Sequence, residues 1–202
     1  TGLPYGRTVL VLEDVTFGYD DDKSIIEDLD LAITGPQRVA LTGPNGSGKS
    51  TLLALVAGSL QPWSGRVSVP VPFAMLDQQV SILDPELSIR DNFRHLNPEA
   101  SENECRAALA RFMFRADAAL SRVGDLSGGE ILRAGLAAVL GGRNPPQLLI
   151  LDEPTNHLDI FSIEAIESGL SAYDGALLVV SHDETFLENI GITHRVVLGS
   201  SD

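Results

Sequence analysis

Cysteine is nearly missing. Cys105 is the single one in 202 residues, so no disulfide can form within the chain. That fits a reducing compartment such as the cytoplasm, the expected location. Cys105 has no activating neighbour in sequence and sits in an amphipathic helical pattern, so it reads as a packed helix residue. Long hydrophobic runs are missing too. The strongest, Leu148–Leu151 and Leu177–Val180, are strand-length and far short of a membrane span. Positive charge is scarce: 14 Lys and Arg stand against 28 Asp and Glu, a formal net charge of −14. Such a surface repels phosphate backbones, so direct DNA binding is not expected, although a local basic site stays compatible with it. The run Asp20-Asp21-Asp22 reads as a solvated loop, and His95 and His194 as packed side chains. The opening segment Thr1–Thr8 has neither signal-peptide nor transit-peptide character and no initiator Met, so the chain is expected to be a piece of a longer one.

What is present is ordinary globular composition, 44% hydrophobic and 21% charged, at a length that suits one domain with a substantial core. Val9–Thr16 and Leu29–Ile33 alternate apolar and polar residues and predict half-buried strands, with a Gly35-Pro36 turn after the second. Arg38–Thr42 is a strand leading into a Gly-rich segment, and Ser50–Ala57 is a helix that stops at Gly58. Gly65–Val69 and Phe73–Leu76 are short strands. From about Ser88 to Leu140 the pattern turns helical. Ser101 and Glu104 form a capping box ahead of Cys105–Phe112, and Gly128–Leu140 is a helix ended by Gly141-Gly142. Strands and helices then alternate: strand Gln147–Leu151, helix Ser162–Ala172, strand Leu177–Ser181, helix Asp183–Asn189, strand Val196–Leu198. Near-continuous apolar strands separated by helices mean a parallel sheet covered on both faces. The expected fold is α/β: a mainly parallel core sheet flanked by helices, with an N-terminal antiparallel β portion and a helical insertion. The expected division is one domain over 1–202, with its core in 1–80 and 141–202 and its helical part at about 81–140.

Five short strings carry chemistry. Gly43-Pro44-Asn45-Gly46-Ser47-Gly48-Lys49-Ser50 matches G-x-x-x-x-G-K-S and lies between a strand and a helix, the context that motif requires. Its glycines let backbone N–H groups face phosphate oxygens, and the helix N-terminus adds positive potential. Lys49 is expected on the β- and γ-phosphates, the Ser50 hydroxyl on Mg²⁺, and Thr51 near the α-phosphate. Gln78, after the strand Phe73–Leu76, is placed to touch both Mg²⁺ and a water, with Gln79 as its competitor. Leu126-Ser127-Gly128-Gly129-Glu130 opens a helix that Ser127 can cap and whose start the two glycines bare, a second anion site. One γ-phosphate cannot sit in both sites of one domain unless they face each other, which implies a head-to-tail pair. Asp152 ends an apolar strand and would hold Mg²⁺ through water, and Glu153 beside it would polarise an attacking water. His182, at the end of the strand Leu177–Ser181, would reach the γ-phosphate or that water. Tyr19, in the Phe17-Gly18-Tyr19 turn, is either a platform for adenine or a surface turn tyrosine.

Together these strings resemble the nucleotide-binding domain of the ABC ATPase superfamily, over nearly the whole chain from Val9 to Leu198. By that resemblance Gly43–Ser50 looks like the Walker A loop, Gln78 like the Q-loop and Leu126–Glu130 like the signature, with Ser127, Gly128, Gly129 and Glu130 facing a partner's ATP. Asp152 and Glu153 look like the Walker B pair, Asn156–Asp159 like the D-loop ending in Asp159, and His182 like the switch histidine. Arg133 matches the arginine usual shortly after the signature. Within the superfamily the chain is most similar to the ABC-F branch, and to its second domain. That rests on EPTNHLD at Glu153–Asp159, Leu76-Asp77-Gln78, Leu83-Asp84-Pro85, the stretch Leu177–Ile190, and Glu130 in place of the Gln usual in transporters. The resemblance implies ATP and Mg²⁺ as ligands, ATP hydrolysis, and a second ABC domain as the partner that completes each site. It also implies action on the ribosome, in translation regulation or ribosome protection, through the longer parent protein. The alternative is the ATP-binding subunit of a membrane transporter, which would need a groove within Ser88–Leu120 for a membrane partner's helix. A DNA-repair ATPase is disfavoured, because the insertion is far too short for a coiled coil.

Overall fold

The computed structural model describes residues 1–20 and 23–199, so Asp21 and Asp22 of the acidic run lie outside the described residues. The N-terminal alternation produces β1 (Thr8–Phe17) and β2 (Ile26–Thr34), an antiparallel pair. β1 turns Leu10, Leu12, Val15 and Phe17 inwards and leaves Glu13 and Asp14 in solvent. β3 (Arg38–Thr42) feeds the Gly-rich loop and helix α1 (Lys49–Val56). β4 (Ser64–Ser68) returns to the other edge of β1, and β5 (Phe73–Leu76) opens the second sheet. Three helices follow, α2 (Ile89–Leu96), α3 (Glu102–Arg111) and α4 (Gly128–Leu140), with two short 3₁₀ turns between α3 and α4. The chain then alternates through β6 (Leu148–Asp152), α5 (Ile160–Ser171), β7 (Ala176–Val180), α6 (Glu184–Asn189) and β8 (His194–Val197).

The result is a three-stranded antiparallel sheet, β2-β1-β4, beside a five-stranded parallel sheet, β5-β6-β7-β3-β8. The parallel sheet is covered on both faces, as its unbroken apolar strands require. Its residues alternate between two cores with the period of the pleat. Leu149, Leu151, Leu177 and Val179 face the cluster built with α2, α3 and α4. Leu148, Ile150, Leu178 and Val180 face the cluster built with α1 and the antiparallel sheet. Cys105 is fully buried in the first cluster, and burial pushes its thiol pKa up, as suits a packed and unreactive side chain.

The element boundaries move where caps decide them. α3 starts at Glu102 rather than Cys105, because the Ser101/Glu104 box closes at once. α5 starts at Ile160 rather than Ser162, because the Asp159 carboxylate accepts the Ser162 N–H. β8 starts at His194, because Thr193 donates to the Arg38 carbonyl and brings the chain alongside β3 early. His95 and His194 are exposed rather than packed: each lies on the solvent side of its element. Since Leu178 is fully buried on a central strand, Leu178→Ala should cost about 2–5 kcal/mol. Urea unfolding should show this as a lower midpoint with an unchanged slope.

Candidate functional site

The site is built at one edge of the parallel sheet. Leu41 of β3 is level with Val180 of β7, and Val180 with Asp152 of β6. The three chains therefore leave the sheet side by side: Gly43 after β3, Glu153 after β6, His182 after β7. The Glu153 N–H donates to the Val180 carbonyl at 2.8 Å. That bond holds Glu153 at φ 49°, a left-handed conformation uncommon outside glycine. His182 Nε2 comes to 3.3 Å from Glu153 Oε1, so the histidine and the glutamate meet across the strand ends.

The Gly-rich loop shapes the other wall. Gly48 takes φ 95° at the N-cap of α1, where an added Cβ would lie 2.9 Å from Ile25 Cγ2. α1 has no side-chain cap and no acid in its first turn. α2, α3, α4, α5 and α6 are each capped by their own Ser or Asp. The opening amides of α1 are thus left for a ligand, and an anion suits them. Lys49 is buried, with Nζ donating to the Gly43 and Pro44 carbonyls at 2.8 and 3.0 Å. Ser47 Oγ is buried without a partner. Asn45, Gly46, Gly48, Lys49, Ser50 and Thr51 line a cleft of about 520 Å³, shared with Tyr19, Gln78, Asp152, Glu153 and His182. The Tyr19 hydroxyl lies 3.1 Å from Thr51 Oγ1, and its ring stands edge-on to Phe17 with centroids 5.3 Å apart. The tyrosine is thereby tied to the first turn of α1 while 63% exposed.

Asp152 carries the electrostatic tension. Its Oδ1 is buried with no hydrogen-bond partner. Burial raises its pKa, the charges of Glu153 and Asp77 add to the rise, and Lys49 opposes it. The Ser50 hydroxyl and the Gln78 amide line the same cleft, so the donor set is oxygen and suits a hard cation such as Mg²⁺. Among the described residues no three His, Cys, Asp or Glu side chains cluster to hold a metal. The ion would draw its remaining ligands from water and phosphate, as Mg²⁺ in phosphate sites does.

A second cleft, about 250 Å³, adjoins the first and is lined by Gln78, Gln79, Gly128, Asp152, Glu153 and Leu158 among others. Gln78 lines both clefts and Gln79 only the second. Asn156 also lines both and Ile25 the first. Sequence reasoning singled out neither as a ligand. Asn156 sits inside the Asn156–Asp159 string, which is its sequence signal, whereas Ile25 carries none. Just beyond the glutamines, Val80 is buried at φ 51° against α4, where a Cβ on Gly135 would lie 2.5 Å from Val80 Cγ1.

The start of α4 differs from the bare anion site expected. Ser127 Oγ accepts the Glu130 N–H at 3.3 Å, and the Glu130 carboxylate accepts the Ser127 N–H at 2.9 Å. A full capping box thus fills that terminus, because Glu130 stands three residues after the serine. Asp159 likewise spends its carboxylate capping α5. Ser127, Gly129, Glu130 and Asp159 do not line the phosphate-loop cleft of their own chain, whereas Gly128 lines the neighbouring one.

A parallel sheet with a G-x-x-x-x-G-K-S loop and paired acids at its strand ends defines a phosphate-loop nucleotide-binding domain. The pattern of the ABC transporter family matches residues 26–156, and the chain belongs to that family. Its relatives are ABC-F proteins. The ATP-binding protein Uup of Escherichia coli is 38% identical over 190 residues, covering 91% of this chain and 29% of that protein. The ABC transporter F family member 5 of Arabidopsis thaliana is 35% identical over 196 residues, covering 95% of this chain and 28% of its own length. The chain spans between 28% and 41% of the curated relatives it matches. Among solved structures, that of a bacterial Atm1-family ABC exporter with ATP bound aligns with a TM-score of 0.80 and 26% identity, covering 97% of this chain and 38% of that one. No helix among the described residues is long and apolar enough to cross a membrane.

Because the fold raises the Asp152 pKa, the folded chain binds that proton more tightly than the unfolded chain does. Stability from this group is present at low pH and lost as pH rises from the unfolded value through the raised one. At pH 7 Asp152→Asn should therefore raise the thermal midpoint without nucleotide, by about 2–4 °C for each kcal/mol gained. It should also abolish the tightening of ATP binding by Mg²⁺ in a fluorescent-nucleotide titration. A lowered midpoint would show that the Asp152 charge is compensated.

Proposed function

We propose that this domain binds ATP with Mg²⁺ and hydrolyses it in a head-to-tail pair of ABC domains, as part of an ABC-F protein acting on the ribosome. The observation that carries the reading is the uncapped start of α1 facing Asp152, Glu153 and His182 in one cleft. Backbone amides and Lys49 would hold the β- and γ-phosphates, Thr51 the α-phosphate, and Tyr19 the adenine. Ser50, Gln78 and, through water, Asp152 would hold Mg²⁺, which when bound supplies charge neutralisation at the phosphate oxygens. Glu153 takes the proton of a water as its oxygen bonds to the γ-phosphorus and the bond to the bridging oxygen breaks, leaving ADP and phosphate. His182, within reach of Glu153, orients that water or the γ-phosphate.

That Ser127 does not line the phosphate-loop cleft of its own chain supports pairing. Ser127, Gly128, Gly129 and Glu130 would complete the partner's site, and Asp159 would lie at the same junction. ATP-driven closure and post-hydrolysis opening would then be the working stroke. The ABC-F relatives and the EPTNHLD string support translation regulation or ribosome protection as the setting. Two observations favour the alternative of a transporter subunit. One is the likeness to the ABC exporter. The other is a groove of about 480 Å³ between Arg90 and Leu120, in the segment where such a subunit would receive a membrane partner.

Glu153→Gln should keep ATP binding and slow hydrolysis by about 10²–10⁴-fold, the usual worth of a positioned base. Undiminished turnover would remove Glu153 from that role. The full-length parent carrying Glu153→Gln should pellet with purified ribosomes only when ATP is present. Recovery on membranes instead would favour the transporter subunit.

A further inference from the structure

We propose that Arg133, held between two phenylalanine rings, is a positioning residue that locks the start of α4 to the Asp159 turn, so that both segments present to a second ABC domain as one body. The proposal rests on the paired-domain reading above for its consequence, though not for its geometry. Arg133 is 6% exposed, and its guanidinium carbon stands 5.1 Å from the Phe114 ring centroid and 5.6 Å from that of Phe161. Nη1 donates to the Phe112 carbonyl at 3.1 Å, and Nε is buried without a partner. No carboxylate among the described residues makes an ion pair with this permanently charged group, so the ring faces share its stabilisation with the Phe112 carbonyl and the more distant Asp159 charge.

The two phenylalanines belong to different parts of the chain. Phe114 follows α3, whereas Phe161 is in the first turn of α5, two residues after Asp159. Phe161 is 54% exposed, and beside it Ile160 is 76% exposed. Burial alone therefore does not hold this turn, and the cation beneath Phe161 is what ties its ring to α4. The backbones approach closely at the same place. A Cβ on Gly129 would lie 2.3 Å from Ser162 Oγ, and Ser162 is fully buried with both its N–H and its hydroxyl on Asp159. Those bonds hold the Asp159 carboxyl below its usual pKa, with the Arg133 charge contributing. The contact between Gly129 and Ser162 sets the distance between the two segments. The stack of Arg133 on Phe161 keeps them from sliding.

The amides of Glu130 and Ser162 report the two caps, since each donates to the cap of its own helix. Hydrogen exchange at both is compared in the wild-type chain, Phe161→Leu, Phe161→Tyr and Arg133→Lys. The leucine keeps apolar bulk and removes the ring, whereas the lysine keeps the charge and removes the planar stack. Phe161→Leu and Arg133→Lys should speed exchange at both amides together, roughly tenfold, and Phe161→Tyr should restore it, with Lys49–Leu53 unchanged throughout. Acceleration at one amide alone, or at neither, would overturn the proposal, because the segments would then be independent. Acceleration across Lys49–Leu53 as well would overturn it too, by showing a general loss of fold. In steady-state hydrolysis Phe161→Leu should lower kcat about tenfold and leave KM for ATP within about twofold, since ATP is held by the other wall. An unchanged kcat would remove the positioning role. If the wild type itself shows no turnover that grows with protein concentration, the paired-domain reading fails and the exchange result still decides the lock.

Discussion

The hydrogen-bonded register of β3, β7 and β6 is the constraint on which the site depends. Leu41, Val180 and Asp152 lie in one row across the sheet. That row fixes where the phosphate loop, the acid pair and His182 leave the strands. A slip of one residue in any of the three would turn buried leucines to the wrong core and move a functional group by a full strand step. The two apolar clusters, each fed by alternate residues of the same strands, are what make such a slip costly. Packing and chemistry are thus specified by the same pattern.

Within that frame the cleft is short of positive charge. Lys49 is the one Lys or Arg among its lining residues, against Asp152 and Glu153, in a chain of net charge −14. On the proposed reading, phosphate recognition falls largely to backbone amides and the α1 terminus, which supply positive potential without a side chain. The buried Asp152 oxygen disfavours a lone anion nearby and favours an anion that arrives with a cation. A polyphosphate carrying a divalent ion meets both demands, and neither part alone does.

Much of this was legible in the sequence, for physical reasons. The motif strings are local, and loop, strand end and helix start follow from a few adjacent residues. Strand patterning placed the β elements to within a few residues: alternation marks the antiparallel pair, and the doubly covered parallel sheet leaves no polar interruption to confuse the reading. What escaped was set at a distance. Ile25 reaches the phosphate loop only through the fold of the antiparallel sheet, and nothing in its neighbours marks it. The exposure of His95 and His194 depends on which side of an element the rest of the molecule covers. The closed start of α4 was half visible. Ser127 and Glu130 have capping-box spacing, yet the two glycines between them suggested an open terminus. The hydrogen bonds decided for the serine and the glutamate.

The capping box at Ser127 also gives that residue a hydrogen-bond polarity. Its oxygen already receives the Glu130 amide, so one lone pair is committed while its own hydrogen stays free. The Glu130 carboxylate, in turn, anchors the serine's backbone and keeps the hydroxyl from wandering. A visitor to this point meets a free hydrogen and a single remaining lone pair. A phosphate oxygen can accept that hydrogen, while a donor group is left with only the one remaining lone pair. A leaning towards acceptor atoms is thus a by-product of a motif that, on its face, only starts a helix.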